Sequence, residues 1–182
     1  MAKITLHTSI EELAGIVASV LEKFNINAVL SGGACVSIYT DNKYVSGDLD
    51  FVSHEGLSKI DKAMSAIAFT RTGRHYIHPH TKFFVEFPPG PLSIGDLLIK
   101  EETTKKVKTG TVKLLTPTQC VMDRLASFYF WNDKQGLDQA LMVASKQKID
   151  INAIQQWSEQ EKEMKKFEIF KQKLLSLKKR KY

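Results

Sequence analysis

Residues Leu30–Val52 read LSGGACVSIYTDNKYVSGDLDFV, and this stretch decides the fold. An apolar run, Ile26–Leu30, stops at the adjacent glycines Gly32 and Gly33. The segment ACVSIYTD that follows has the look of a short helix, and DLDFV, Asp48–Val52, alternates polar and apolar residues. Alternation with period two is the pattern of a half-buried strand, whose successive side chains point to opposite faces. Asp48 and Asp50 therefore share one face, with Cα atoms about 6.5–7 Å apart, and Leu49 and Phe51 take the buried one.

Two carboxylates on one face repel each other unless a cation lies between them. Mg²⁺ takes a few carboxylates together with substrate phosphate oxygens. A strand that ends in Gly-Gly at a helix start lets backbone approach a ligand closely, and free N–H groups there favour an anion. Gly32, Gly33 and the Ser31 hydroxyl are thus candidates for cradling phosphate, and Asp48 and Asp50 for holding the metal that bridges it. Either half alone is a weak signal: acidic pairs are common at solvated strand ends, and Gly-Gly often marks a simple turn.

Outward from this stretch, the chain alternates helix and strand patterns. Ile10, Leu13, Val17, Val20, Leu21 and Phe24 recur at helical spacing. Thr8 and Glu11 fit a capping box, which predicts a helix over Ser9–Lys23 broken by Asn25 and Asn27. Leu57, Ile60, Met64 and Ile67 predict a second amphipathic helix within Gly56–Phe69. RHYIH, KFFVEF and GTVKLL read as strands, with a turn near Thr109–Gly110. Phe87–Asp96 carries three prolines and two glycines and reads as loop.

At residue 116 the texture changes. Thr116 is a good N-cap and Pro117 suits the first helical position. Helices are expected over Pro117–Trp131, Gln135–Lys146, from Asp150, and over Glu161–Leu177. The expected architecture is α/β: a small mixed sheet flanked by helices in residues 1–115, then an all-helical region in residues 116–182.

Composition is ordinary for a soluble globular domain, with 43% hydrophobic and 25% charged residues in 182. Two cysteines, Cys35 and Cys120, make neither a disulfide framework nor a CxxC metal pair. With no signal-peptide core at the start and no run of membrane-spanning length, the expected location is the cytoplasm. The net charge of +6 is concentrated at the end, where Lys162–Tyr182 holds nine Lys/Arg against two Glu. Such a tail can hold phosphates or RNA; a solvated helix end is the plainer account.

The glycine pair, the spacer and Asp-Leu-Asp-Phe together resemble the signature of the polymerase-β-like nucleotidyltransferases. The resemblance covers roughly Ile10–Leu115. The fourteen-residue spacer between Gly33 and Asp48 is slightly longer than the common family range, and an extra turn in TDNKYVSG accommodates it. LTPTQCVMDRLASFYFWNDKQ is similar, less specifically, to the segment that follows the catalytic domain in bacterial nucleotidyltransferase-like proteins. The resemblance implies Mg²⁺-dependent transfer of an NMP group from an NTP, with release of pyrophosphate. It also implies a third carboxylate from a neighbouring strand, for which Glu86 in KFFVEF is the best match and Asp96 the weaker substitute. Arg124, on the helix that follows, is implied as a phosphate contact beside Asp123, although an ion pair between the two explains them equally well.

The acceptor stays open: an RNA end, a protein hydroxyl as in toxin–antitoxin nucleotidyltransferases, or a small molecule such as an aminoglycoside. The alternative of another class is a catalytically silent binding module of the same fold, such as an antitoxin or regulatory partner.

Other features point elsewhere. His75, His78 and His80 suit a solvated connection, with a phosphate or nucleotide contact from a loop as the second account; zinc comes last, since no cysteine lies nearby and Pro79 interrupts them. The aromatics of SFYFW, Ser127–Trp131, suit core or dimer packing, with base stacking in a cleft as the second account. Cys35 follows the glycines and is read as a small packing residue.

Overall fold

The computed structural model describes residues 3–179. Helix α1 spans Ile10–Lys23, and its capping box uses Ser9 and Glu12. The Ser9 Oγ accepts the Glu12 N–H at 3.2 Å, and the Glu12 carboxylate accepts the Ser9 N–H at 3.1 Å. This is one residue beyond the expected Thr8–Glu11 pair. Thr8 is engaged instead in the preceding turn, where its hydroxyl accepts the Thr5 N–H at 2.9 Å. The helix stops because Asn25 adopts φ 51°, and the Ile26 N–H turns back to the Leu21 carbonyl at 2.9 Å.

Strand β1, Ala28–Ser31, is buried along its whole length and runs straight into α2, Gly32–Tyr39. Helix α2 is buried on every side, which fits its all-small or apolar composition. Strand β2, Asp48–Ser53, alternates half-buried and buried residues in the order that its sequence predicts. Helix α3 spans Leu57–Ser65 and ends before the expected Phe69, because Ala68 takes a left-handed φ of 61°. Strands β3, Thr70–Thr72, and β4, His75–Ile77, follow as a hairpin, then β5, Phe84–Glu86.

The loop expected over Phe87–Asp96 contains structure of its own. β6, Ser93–Ile94, and β7, Leu97–Leu98, form a small separate hairpin around Gly95 and Asp96. Two-residue strands leave too short an alternation to be read from sequence. Strands β8, Thr103–Val107, and β9, Gly110–Leu114, then form the hairpin expected near Thr109–Gly110.

The main sheet has seven strands in the order β3-β4-β5-β2-β1-β9-β8. It is mixed: β1 is antiparallel to β2 and parallel to β9, and β2 is parallel to β5. One face carries Leu30, Leu49, Phe51, Val85 and Leu114 into the core with Leu13, Val17, Ile38 and Ile60. The opposite face carries Ser31, Asp48, Asp50 and Glu86.

After Thr116 the described residues form helices joined by short connections: α4, Pro117–Trp131; α5, Lys134–Lys146; α6, Ile151–Gln160; and α7, Met164–Lys179. Thr116 and Gln119 close the capping box of α4. The start of α7 lies three residues beyond the expected Glu161, since Lys162 has φ 61° and interrupts the helix. Helix α2 packs against both α4 and α5, so the helical region joins the core of the sheet. Among the described residues, no helix is long and apolar enough to cross a membrane. The last part of the basic tail, Arg180–Tyr182, lies outside the described residues.

Candidate active site

Strand register places Ser31, Asp50 and Glu86 in one row across three neighbouring strands. Ser31 pairs with Asp50, and Asp50 pairs with Glu86. The Ser31 hydroxyl donates to the Asp50 carbonyl at 3.4 Å. Immediately beyond, Gly32 turns the chain into α2 with φ +66°, where a side chain would be strained. A Cβ there would also meet Asp50 Oδ2 at 2.4 Å. The backbone at the start of α2 therefore lies directly against the Asp50 carboxylate. No side chain of Ser31 caps the first turn of α2, so its N–H groups are left for another acceptor.

Asp48 stands two residues earlier on the same face. Its Oδ1 accepts the Ser46 hydroxyl at 2.7 Å, and Ser46 in turn fills the space over Gly33. Ser46 carries no local signal in the sequence; its role comes from the loop that folds back before β2.

Asp50 is pushed up to about 7, first by burial and then by the neighbouring charges of Asp48 and Glu86. Arg124 opposes this shift and Asp123 adds to it. Burial combined with like charge is the condition that a bound cation relieves.

Glu86 is occupied. Its Oε1 lies 2.7 Å from His75 Nε2 and 3.5 Å from Arg74 Nε, and Arg74 Nε donates to His75 Nε2 at 3.2 Å. The His75 ring packs on Phe84, with centroids 4.5 Å apart. His75 is thus tied to a carboxylate rather than lying in a solvated connection, because β4 runs antiparallel beside β5 and pairs it with Glu86. His78 and His80 remain together on the connection, where the His78 Nδ1 accepts the His80 N–H at 3.1 Å. Burial holds His78 below the usual histidine range, and His80 adds to this.

Arg124 reaches the site from α4. Its Nε and Nη2 donate to Asp123 Oδ2 at 3.0 and 2.6 Å, and its Nη1 donates to Gln139 Oε1 at 3.3 Å. Burial works against its charge, yet Asp123 more than offsets this and holds the guanidinium above its ordinary value. The ion pair expected as one account of these residues is present, and Arg124 also borders the cleft. Gln139, on α5, carried no signal in the sequence.

A cleft of about 410 Å³ opens on this face. Ser31, Gly32 and Asp50 form its floor, Asp123 and Arg124 one wall, and Pro88–Pro89 and Pro91–Ser93 the other. A further cavity of about 260 Å³, bounded by His54, Leu98 and Glu102, adjoins it and shares Val52, Pro91 and Leu92. Gly33, Asp48 and Glu86 lie beside the cleft without lining it. Asp96 does not approach it; it sits at the tip of the β6–β7 hairpin, where its N–H donates to Glu161 Oε1 at 2.8 Å.

Among the described residues, no three His, Cys, Asp or Glu side chains converge as a ready-made metal cage. The donors nearest to one are carboxylates, which suit a hard cation such as Mg²⁺ rather than zinc. Asp50, half-buried beside Asp48, is the one whose charge a cation would favour most.

The remaining sequence features fall into the core or onto the surface. Phe128 and Tyr129 are buried, and Tyr129 stacks on Trp157, whereas Phe130 and Trp131 are exposed at the end of α4. Cys35 is fully buried, donates its thiol to the Leu30 carbonyl at 3.0 Å, and is held well above the usual thiol range by burial.

No protein-family model matches this chain, and no curated protein does. Solved structures do. A crystal structure of an antigenic nucleotidyltransferase-like protein from Paracoccidioides brasiliensis superposes with a TM-score of 0.54 at 18% identity, over 77% of each chain. The solution structure of the antibiotic-resistance factor ANT(2'')-Ia gives a TM-score of 0.49 at 9% identity, covering 92% of this chain and 91% of that one. The crystal structure of ANT(2'')-Ia in complex with adenylyl-2''-tobramycin gives 0.49 at 8%, over 87% and 94%. The first of these, at 18% identity, is a likeness of fold, and the chain has a nucleotidyltransferase-like fold.

Proposed function

We infer that the cleft binds a nucleoside triphosphate with Mg²⁺ and that the protein transfers the NMP group to an acceptor hydroxyl. The observation that carries this reading is the contact between the Gly32 backbone and the Asp50 carboxylate, with Arg124 on the facing wall. A phosphate-binding backbone and a metal-binding carboxylate are then within one substrate's reach of each other.

In this reading Ser31, Gly32 and Gly33 hold the triphosphate at the start of α2. Asp48 and Asp50 would hold Mg²⁺, which would supply charge that neutralises the phosphates. Glu86 completes the carboxylate set from the next strand, exchanging its contact with His75 for the site. Arg124 donates its remaining N–H groups to phosphate oxygen. The acceptor oxygen forms a bond to the α-phosphorus while the bond to the β-phosphate oxygen breaks, releasing pyrophosphate. The hydroxyl proton passes to a carboxylate of the set. Rate enhancement comes from positioning and from charge neutralisation.

One observation favours a second reading. Glu86 rests on His75 and Arg74, so the third carboxylate is engaged elsewhere. A chain that binds nucleotide and does not transfer it, acting as a regulatory partner, accounts for that arrangement.

Incubation with each of the four labelled NTPs and Mg²⁺ separates the two. The protein is tested alone, with total RNA and with cell lysate. Label transferred to any acceptor, and lost in Asp48→Asn/Asp50→Asn, supports the enzyme. Binding of Mg-NTP without transfer supports the silent module. Absence of binding removes both.

A further inference from the structure

The wall of the cleft formed by Pro91–Ser93 leads into a hairpin with little of its own to hold it. Its two strands contribute two residues each, with Ser93 opposite Leu98 and Ile94 opposite Leu97, closed by the Ile99 N–H to the Leu92 carbonyl at 2.9 Å. A hairpin this small is marginal in isolation. Ser93 lines the cleft with Ser31, Gly32 and Asp50, and Ile94 is buried in the core, so the hairpin's position comes from contacts with other elements.

Those contacts come from the helical region. Trp157 of α6 is buried and donates Nε1–H to the Ile94 carbonyl at 3.2 Å, and its ring stacks on Tyr129 of α4. Glu161, just past α6, accepts the Asp96 N–H at 2.8 Å on Oε1. The same carboxylate lies flat on Gly95: a Cβ there would meet Oε1, Cδ and Oε2 of Glu161 at 2.4–2.6 Å. Gly95 has φ +57°, so the turn and the close approach both require glycine. Neither Trp157 nor Glu161 lines the cleft.

We propose that Glu161 and Trp157 are positioning residues that fasten the β6–β7 hairpin from the helical region and thereby set how tightly the cleft holds its ligand. This rests on the nucleotide reading of the cleft. The helical region then acts on the site in two ways, directly through Arg124 and at a distance through the hairpin. A charged acceptor on a backbone N–H is among the stronger hydrogen bonds, and its loss frees the turn that it holds.

Glu161→Ala tests the tether. Hydrogen exchange at the amides of residues 93–98 should quicken by about tenfold, most of all at Asp96. With Mg-ATP as probe, Kd should rise about five- to tenfold, while exchange in α2 and β2 stays as in wild type. Glu161→Gln retains a carbonyl oxygen that can accept the Asp96 N–H, so it should restore both signals. Gly95→Ala should weaken Mg-ATP binding, and less so in a Glu161→Ala background, where the colliding carboxylate is gone. Trp157→Phe keeps a ring on Tyr129 and removes the N–H, and should quicken exchange at the same amides.

Faster hairpin exchange with an unchanged Kd would overturn the positioning role and leave the tether as a structural contact. Unchanged exchange in Glu161→Ala would overturn the tether itself. A wild-type protein that binds no Mg-NTP would sink the nucleotide reading and the affinity claim with it. That failure is read on the titration, whereas failure of the tether is read on the exchange.

Discussion

Gly32 lies so close to Asp50 that a single added methyl carbon would stand 2.4 Å from the carboxylate oxygen Oδ2. Gly32→Ala combines that collision with a strained φ of +66°. It should destabilise the protein by about 1–3 kcal/mol and, if the cleft binds nucleotide, abolish stabilisation by Mg-NTP. Thermal melts with and without Mg-ATP read both effects. A variant that gains as much from Mg-ATP as wild type would separate Gly32 from the site.

The ionisation of Asp50 has a definite sign in the metal-free protein. Its folded value, about 7, lies above the ordinary 3.8, so between these limits the folded state holds a proton that the unfolded state has released. Stability from this group is therefore fully present below about pH 4 and is lost as pH rises through about 7. Asp50→Asn should remove that part of the slope. Urea melts in chelator from pH 4 to pH 8 make the comparison, and parallel profiles for the two proteins would contradict it.

Replacing both aspartates, Asp48→Asn with Asp50→Asn, keeps side-chain shape and removes the charge. The metal-free double variant should be as stable as wild type or slightly more so at pH 7, since like charges no longer face each other. Its stabilisation by Mg-NTP should fall at least tenfold in apparent affinity. Collapse of the metal-free variant would instead assign the pair a structural role.

Arg124 is a half-buried charge with a half-buried partner, Asp123. Arg124→Ala removes the partner of Asp123 and the donor to Gln139, and should cost about 1–3 kcal/mol. Arg124→Met with Asp123→Leu removes both charges and should recover much of this loss. Chemical denaturation gives the cycle. A single variant as stable as the double would mean that the pair is not coupled.

Removing the residues after Leu177 deletes the last two residues of α7 and the three that follow. The melting temperature should change by less than about 2 °C, because little apolar surface is lost. If the tail contacts RNA, truncation should weaken binding and flatten its dependence on salt. An equal slope in both proteins would leave the tail as a solvated helix end.

The elements around the glycine pair were legible because their signals are local. The period-two run Asp48–Val52 placed Leu49 and Phe51 in the core and left Asp48 and Asp50 half-buried on the other face. The Thr116–Pro117 start of α4 carried its own cap. Misplaced boundaries had equally local causes that letters alone do not reveal. Thr8 was already bonded to Thr5, and Ala68 and Lys162 took left-handed backbone that their residue types do not advertise.

By itself the sequence determined that a buried strand breaks at two glycines, that two carboxylates follow on one strand face, and that helices close the chain. Tertiary structure alone decided what those residues meet. The register of β1, β2 and β5 put Ser31, Asp50 and Glu86 in one row, and β4 gave Glu86 to His75. Helix α4 carried Arg124 and Asp123 across to the cleft, and Trp157 and Glu161 reached the hairpin over it. The physical reason is range. Periodicity and capping are set by neighbours within a few residues, whereas pairing register and the facing of one side chain by another depend on how distant segments bury their apolar faces together.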